Sequence, residues 1–203
     1  MSTIAPPKSA STHVAYVSKT LASPQDRARG ALVVLFAVYM AVLSWTILWE
    51  LEAPWIGHAS DRVLKLIPYV ATDSAGANPT SEVLLNIALF IPFGVYLRLL
   101  APKWSAVGIV SLIAGTSVSF EAIQYLLAIG VTDTADVINN NLGGLIGVVL
   151  CVAAKRALRN RTDTVLLRVM LIGTVGVLLL VTMYVLGSQL HHMGPPAQFP
   201  PRL

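Results

Sequence analysis

Long apolar stretches separated by short polar segments recur along the 203 residues of this chain. A helix that crosses the hydrocarbon core of a bilayer needs about 20 mostly apolar residues. The pattern predicts five such helices, and polar residues must complete the second and fourth because both are short. The predicted spans are residues 30–49, 83–97, 104–129, 137–154 and 169–187. The chain is therefore predicted to be an all-α membrane protein, a bundle of five transmembrane helices.

Composition supports this interpretation. Hydrophobic residues make up 55% of the chain and charged residues only 12%, against about 25% charged residues in soluble domains. The net charge of +4 arises from residues that cluster beside the spans, so we expect membrane lipids as partners and no nucleic acid. The single cysteine, Cys151, excludes an intrachain disulfide and lies in an apolar run.

The distribution of Lys and Arg predicts the orientation of the bundle. Loops on the cytoplasmic side of a membrane carry an excess of these residues. Eleven of the fourteen fall on the side of the N-terminus, and three, Arg62, Lys65 and Arg202, fall on the other side. We therefore expect a multi-pass protein of the cell membrane with a cytoplasmic N-terminus and an external C-terminus.

The same pattern divides the chain into four parts. Residues 1–29 are rich in Ser, Ala and Pro and are predicted to be a disordered cytoplasmic segment. The apolar run that follows is too long for a cleaved signal peptide, so we interpret it as an uncleaved anchor. Residues 30–154 form a four-helix membrane domain. Residues 155–187 are a basic cytoplasmic turn with a fifth helix, and residues 188–203 are a Pro-rich external tail.

The first external loop, residues 50–81, is the only long loop between the predicted spans. Ser60 and Asp61 are residue types that cap a helix start, residues 63–67 are mostly apolar, and Pro68 would stop the helix. Aromatic residues nearby are typical of the membrane–water boundary. The sequence predicts a short interfacial helix here.

Glu121 is the most unusual residue of the spans. An ionisable side chain inside hydrocarbon costs several kcal/mol unless it finds a partner or water. Ser117, Glu121 and Gln124 follow the spacing i, i+4, i+7 and are predicted to share one face of the third helix. At 1.5 Å per residue, Glu121 lies about 12 Å below the external end of that span.

Other polar residues are predicted at a similar depth in the neighbouring spans. Such groups must face the bundle interior or a water-filled cavity, so the sequence predicts a polar pocket open to the outside. Two simpler roles remain open: amide side chains that tie helices together for about 1 kcal/mol each, and Asp133 as a helix cap. The predicted pocket residues are Asn86, Glu121, Gln124, Asp133, Asp136 and Asn140.

Four further residues are predicted to shape helix packing. Gly143 and Gly147 form a small-residue pair that lets a neighbouring helix approach closely. Pro92 and Gly94 weaken the second span, because proline removes one backbone donor. The resulting kink either serves packing alone or makes room for the polar layer.

Several short motifs follow one another along the chain: LIPY at residues 66–69, NIALFIPFG at 86–94, EAIQ at 121–124 and DVINNNLG at 136–143, followed by Gly147. This ordered set resembles the VanZ-like family of bacterial membrane proteins, and the resemblance covers roughly residues 35–154. The family pattern usually has an arginine shortly before its Asp-x-x-Asp stretch, and this chain has none there, so a cation beside these carboxylates would have to come from another residue.

The resemblance implies a bacterial cell membrane and a link to the cell envelope. The family is named for a member associated with resistance to teicoplanin-type glycopeptides, which act outside the membrane on lipid-linked wall precursors. An external polar pocket would lie on the side where those precursors are exposed.

Several functions fit these residues. The favoured hypothesis is a non-enzymatic protein whose pocket binds a lipid-linked cell-wall precursor or an envelope protein. The alternative is an intramembrane enzyme with Glu121 and Asp136 as acid and base; a transporter is a third class. Glu121, Asp133 and Asp136 could also hold a divalent cation, whereas His191 and His192 are a weak metal signal. We expect no resident metal and no cofactor.

Overall fold

The computed structural model describes residues 23–72, 75–158 and 162–192. Within these ranges five helices are long and apolar enough to cross a membrane, which confirms the prediction of an all-α membrane protein with five spans. The helices are α1 (Pro24–Trp49), α2 (Thr80–Leu100), α3 (Ala106–Leu127), α4 (Thr134–Leu158) and α5 (Thr162–His192).

The first and last helices are longer than their apolar runs. Ser23 caps α1, because its hydroxyl accepts the backbone N–H of Asp26 at 3.1 Å and the Asp26 carboxylate accepts the Ser23 N–H. The end of the segment predicted to be disordered is therefore helical, and residues 1–22 lie outside the described part. At the other end α5 runs to His192. The histidine side chains and residues 193–203 lie outside the described part.

The first loop holds a short strand where the sequence predicted an interfacial helix. A one-turn 3₁₀ helix, Ala59–Asp61, is followed by strand β1, Val63–Lys65. This strand pairs in parallel with β2, Val131–Asp133, which lies between α3 and α4. The predicted helix is therefore wrong, because β1 obtains its backbone hydrogen bonds from a distant strand.

The loop is held against the C-terminal end of α3. The guanidinium of Arg62 donates to the carbonyls of Tyr125 at 3.0 Å and Leu126 at 3.2 Å. The N–H of Gly57 donates to the carbonyl of Leu127 at 2.9 Å. These contacts satisfy carbonyls that a helix end leaves without an intrahelical partner. We call this end of the bundle, where α1 and α3 finish and α2 and α4 begin, the polar end.

Helices α2 and α4 pack backbone against backbone through glycines. A Cβ atom on Gly147 would lie 2.0 Å from the carbonyl oxygen of Ile91, and one on Gly143 would lie 2.2 Å from that of Ile87. On the opposite helix, a Cβ atom on Gly94 would lie 1.9 Å from the Gly144 carbonyl oxygen. Any side chain at these positions would force the two helices apart.

Aromatic rings fill the contact between α1 and α2. Phe36 stacks on Phe93 with ring centroids 6.0 Å apart, and Tyr39 and Tyr96 approach to 5.4 Å. The hydroxyl of Tyr96 also hydrogen-bonds that of Thr174 in α5 at 2.7 Å. The fifth helix is thereby joined to the core of the bundle.

The glycine contact between α2 and α4 generates a first prediction. Gly147→Ala will lower the free energy of unfolding by about 1–3 kcal/mol, the usual cost of overpacking, because the new methyl group meets a backbone carbonyl that cannot move alone. The measurement is unfolding in mixed dodecyl maltoside and dodecyl sulfate micelles.

Gly115→Ala is the matched control for Gly147→Ala. A Cβ atom on Gly115 of α3 meets nothing within 4 Å, and alanine has the higher helix propensity. The control will be as stable as the parent chain or more so. Equal effects of the two substitutions would show that the close approach of α2 and α4 does not stabilise the bundle.

Candidate functional site

A buried ion pair lies at the polar end of the bundle. The ammonium of Lys65 in β1 is 2.9 Å from a carboxylate oxygen of Asp133 in β2, and the two side chains are only 2% and 4% exposed. The parallel register places these two residues opposite each other. The other oxygen of Asp133 accepts the backbone N–H of Ala135 at 2.8 Å, so the same carboxylate caps the first turn of α4.

Asn78 connects this ion pair to a second carboxylate. Its carbonyl oxygen accepts a hydrogen bond from Lys65 at 2.6 Å. Its amide nitrogen donates to Asp133 at 2.8 Å and to Glu82, in the first turn of α2, at 2.9 Å. One neutral amide side chain thus accepts a hydrogen bond from an ammonium group and donates hydrogen bonds to two carboxyl groups.

The partner of Glu121 is a backbone group. Its carboxylate accepts the N–H of Asp133 at 2.8 Å, and the side chain is buried. In addition, the hydroxyl of Thr132 donates to the main-chain carbonyl of Glu121 at 3.3 Å. Glu121 therefore fixes the segment that carries β2 into α4, and it places its carboxyl group beside the ion pair.

Asp136 extends the acidic cluster towards α2. One of its oxygens accepts the amide of Asn86 at 2.6 Å, which links α4 to α2. Glu82 lies one turn before Asn86 in α2, and Asp133 lies three residues before Asp136, so these carboxyl groups share the polar end. The cluster thus combines four carboxyl groups with a single ammonium, and we call Lys65, Asn78, Glu82, Asn86, Glu121, Asp133 and Asp136 the polar network.

Two asparagines beside the network each have a buried atom without a partner among the residues that the structure describes. Asn139 accepts the hydroxyl of Tyr69 at 2.9 Å while its amide nitrogen is unpaired, and Asn140 donates to Ser117 at 3.0 Å while its carbonyl oxygen is unpaired. Rotating either amide by 180° exchanges the roles of its two atoms and leaves one of them unsatisfied. Buried polar atoms of this kind normally bind water or a ligand.

Tyr69 holds an unusual backbone conformation over this site. Its φ angle of 64° lies in the left-handed region, which a bulky residue rarely adopts. Its N–H donates to Asn78 at 3.2 Å and its hydroxyl reaches the buried Asn139. Strained residues of this kind cluster at binding and catalytic sites.

The structure brings together some of the residues predicted for the pocket and separates one. Asn86 and Asp136 are bonded to each other, Glu121 is bonded to Asp133, and Asn140 lies nearby on α4. Gln124 instead donates to the carbonyl of Ile47 in α1 at 3.0 Å. It lies three residues past Glu121, which turns its side chain by about 60° around the helix towards α1.

Sequence reasoning missed three members of the network: Lys65, Asn78 and Glu82. Lys65 supplies the cation that the family motif would place before the two aspartates. The predicted helix over residues 63–67 gave no sign that Lys65 faces the bundle. The structure has a strand there, and its alternation turns Val63 and Lys65 towards the bundle while Leu64 faces out.

The alternative in which Glu121, Asp133 and Asp136 hold a divalent cation finds no support in the geometry of the described residues. Among the described residues, no three His, Cys, Asp or Glu side chains converge closely enough to hold a metal ion. The oxygens of Asp133 are engaged by Lys65, Asn78 and the N–H of Ala135, which leaves this carboxylate unsuited to a metal.

The Lys65–Asp133 pair generates a second prediction. Lys65→Met or Asp133→Asn alone will destabilise the protein by about 3–5 kcal/mol, because each leaves a buried charge without its partner. The double variant will be more stable than the sum of the two losses predicts. A double-mutant cycle of unfolding in mixed micelles measures this coupling.

Lys103→Met is the matched control for the ion pair, since Lys103 is exposed between α2 and α3. It will change the free energy of unfolding by less than about 0.5 kcal/mol. Strictly additive losses in the Lys65 and Asp133 cycle would mean that the two charges do not stabilise each other.

Comparisons with known proteins agree on one family. The family model for VanZ/LLP1 matches residues 36–156, a stretch that contains the whole polar network. Protein VanZ of Enterococcus faecium is 33% identical over 165 aligned residues, which cover 77% of this chain and 92% of that protein. No solved structure matches significantly. The chain is therefore a multi-pass membrane protein that belongs to the VanZ/LLP1 family.

Proposed function

We propose that this VanZ-family protein binds the polar head of a lipid-linked envelope component in its polar network and thereby contributes to resistance to teicoplanin-type glycopeptides. The observation that carries the proposal is the buried Lys65–Asp133 pair beside Asn139 and Asn140, whose amides each retain an unpaired atom. Charges and unpaired amides at one end of an otherwise apolar bundle are suited to recognition of a polar group.

The energetics of the ion pair support a role beyond stability. Replacing a buried ion pair by well-packed apolar residues is often neutral or stabilising. The gain in stability alone is therefore weak grounds for a charged pair at this position. A ligand that contacts them would supply a reason for these residue types.

The balance of charges indicates the chemistry of the ligand. Four carboxyl groups, those of Glu82, Glu121, Asp133 and Asp136, share the polar network with the single ammonium of Lys65. This excess of carboxyl groups over cations favours a head that presents sugar hydroxyls or an amine over a bare phosphate. Lipid-linked precursors of the cell wall carry both kinds of donor.

The distribution of Lys and Arg supports the location required by the proposal. It predicts that the polar end faces the outside of the cell. Glycopeptides bind wall precursors on that side, so a protein that holds a precursor there would compete with the antibiotic or shield its target.

The contacts of Glu121 and Asp136 are compatible with a binding role. Glu121 accepts the N–H of Asp133 and Asp136 accepts the amide of Asn86, so one oxygen of each carboxyl group is held by a neutral donor. Such bonds position an acceptor for a ligand. Catalysis with Glu121 and Asp136 as acid and base stays a prediction, and turnover of a lipid-linked substrate by the purified protein would test it.

A third prediction follows from the proposed ligand. A photoactivatable lipid-linked disaccharide peptide will label the reconstituted protein, and Asp136→Asn will reduce its apparent affinity about tenfold. That factor corresponds to about 1.4 kcal/mol, within the range for the loss of one hydrogen bond. Asparagine keeps an oxygen that can accept from Asn86, so the α2–α4 contact is preserved. Mass spectrometry of the labelled peptides gives the position and extent of labelling.

Ser119→Ala is the control for the labelling experiment. Ser119 is an exposed residue of α3 whose hydroxyl donates to the carbonyl of Gly115 in its own helix. Its variant will label as the parent does. Equal labelling of Asp136→Asn and the parent, or labelling of a lipid that lacks the polar head, would contradict recognition by the network.

A fourth prediction concerns resistance. Expression of the parent chain in a glycopeptide-susceptible Gram-positive host will raise the minimum inhibitory concentration of teicoplanin, and Lys65→Met with Asp133→Asn will abolish the increase. The double variant removes both charges together, which limits the loss of stability. Immunoblots of membranes, with Lys103→Met as control, verify equal amounts of protein. Full resistance from the double variant would exclude the ion pair from this function.

A further inference from the structure

In the two-stranded sheet at the polar end, a charged side chain faces inward and an apolar side chain faces outward, which is the opposite of a sheet in a soluble protein. Alternation along β1 turns Lys65 inward, where it is 2% exposed, and turns Leu64 outward, where it is 50% exposed. In water this arrangement would bury the charge and expose the apolar side chain, each at a cost. An apolar environment outside the sheet removes the cost of exposing Leu64.

The residues around β1 continue this outward apolar surface. Leu66 is 68% exposed and Ile67 is 59% exposed, although neither belongs to a helix. An apolar patch of this kind on a soluble domain marks an interaction surface. We call Ile56, Leu64, Leu66, Ile67 and Val70, all of them exposed, the apolar loop surface.

The length of α3 places this surface at a defined depth. Its 22 residues span about 33 Å at 1.5 Å per residue, close to the roughly 30 Å of the hydrocarbon core. Gly57 and Arg62 bind the last carbonyls of α3 directly, and β2 begins four residues after Leu127. A span of this length that crosses the hydrocarbon core ends where headgroups meet acyl chains, and the apolar loop surface is attached at that end of α3.

The open edges of the sheet exclude a deeper position. The sheet has two strands, so β1 and β2 each keep an edge that no third strand covers in the described part of the chain. Unpaired backbone groups are not tolerated in hydrocarbon, but water and headgroups satisfy them at the boundary. Arg62, an exposed cation in the same loop, also fits a surface at headgroup depth.

We propose that the apolar loop surface inserts into the headgroup–acyl boundary of the bilayer, so that lipid rather than water or protein covers β1 from outside. The occupant is the ordinary lipid of the leaflet, and the inference holds whatever the polar network binds. In this arrangement, strand β1 lies between the buried Lys65–Asp133 pair and the lipid.

Site-directed spin labelling in lipid nanodiscs tests this insertion. A nitroxide on Leu66→Cys or Leu64→Cys will collide more often with oxygen, which concentrates in the bilayer, than with a water-soluble nickel chelate. The two reference labels are Val118→Cys, on an exposed position in the middle of α3, and Ser60→Cys, on the exposed 3₁₀ turn. The oxygen-to-nickel ratio at Leu66 and Leu64 will lie between those of the references.

Each other outcome overturns the proposal. A ratio equal to that at Ser60 would place the loop surface in water, and one equal to that at Val118 would place it in the hydrocarbon core. Low accessibility to both reagents would mean that protein, such as a second copy, covers it. The native Cys151 is buried, so the parent chain measures background labelling.

Discussion

Asp133 is the residue on which the polar end of this protein depends. One carboxylate oxygen pairs with Lys65, the other caps α4, and its backbone N–H binds Glu121. A buried carboxylate is tolerated only when a cation and hydrogen bonds compensate for the lost water. Because those partners come from the first loop, from α3 and from the start of α4, the requirement to satisfy one charge sets the positions of three separate parts of the chain.

The glycine contact between α2 and α4 provides the rigid support for that arrangement. Backbone-to-backbone packing at Gly94, Gly143 and Gly147 leaves little room for either helix to shift. The bond between Asn86 and Asp136 joins the same two helices nearer the polar end. The position of Asp136 relative to the rest of the network is thus determined by packing in the middle of the bundle.

The sequence predicts the parts of this structure that local periodicity encodes. Five spans follow from apolar runs, and Glu121 and Asp136 stand out as carboxyl groups in or at the ends of those runs. The pairing of β1 with β2 could not be read in the same way, because three-residue strands are too short to distinguish their alternation from a helical pattern. Without that pairing, Lys65 looks like a loop charge. The contact of Gln124 with α1 could not be predicted either, since a rotation of about 60° around a helix turns a side chain towards a different neighbouring helix.

The parallel pairing also constrains the order in which the molecule can be assembled. Val63 pairs with Val131, and two complete helices, α2 and α3, lie between them in the chain. During synthesis, Lys65 therefore emerges before its carboxylate partner, and the pair can form only after both intervening helices have been made. A chain that ends before β2 contains the first three helices but lacks Asp133 and Asp136, so it cannot form the polar network. The polar network therefore forms only after the two helices between its paired strands are in place.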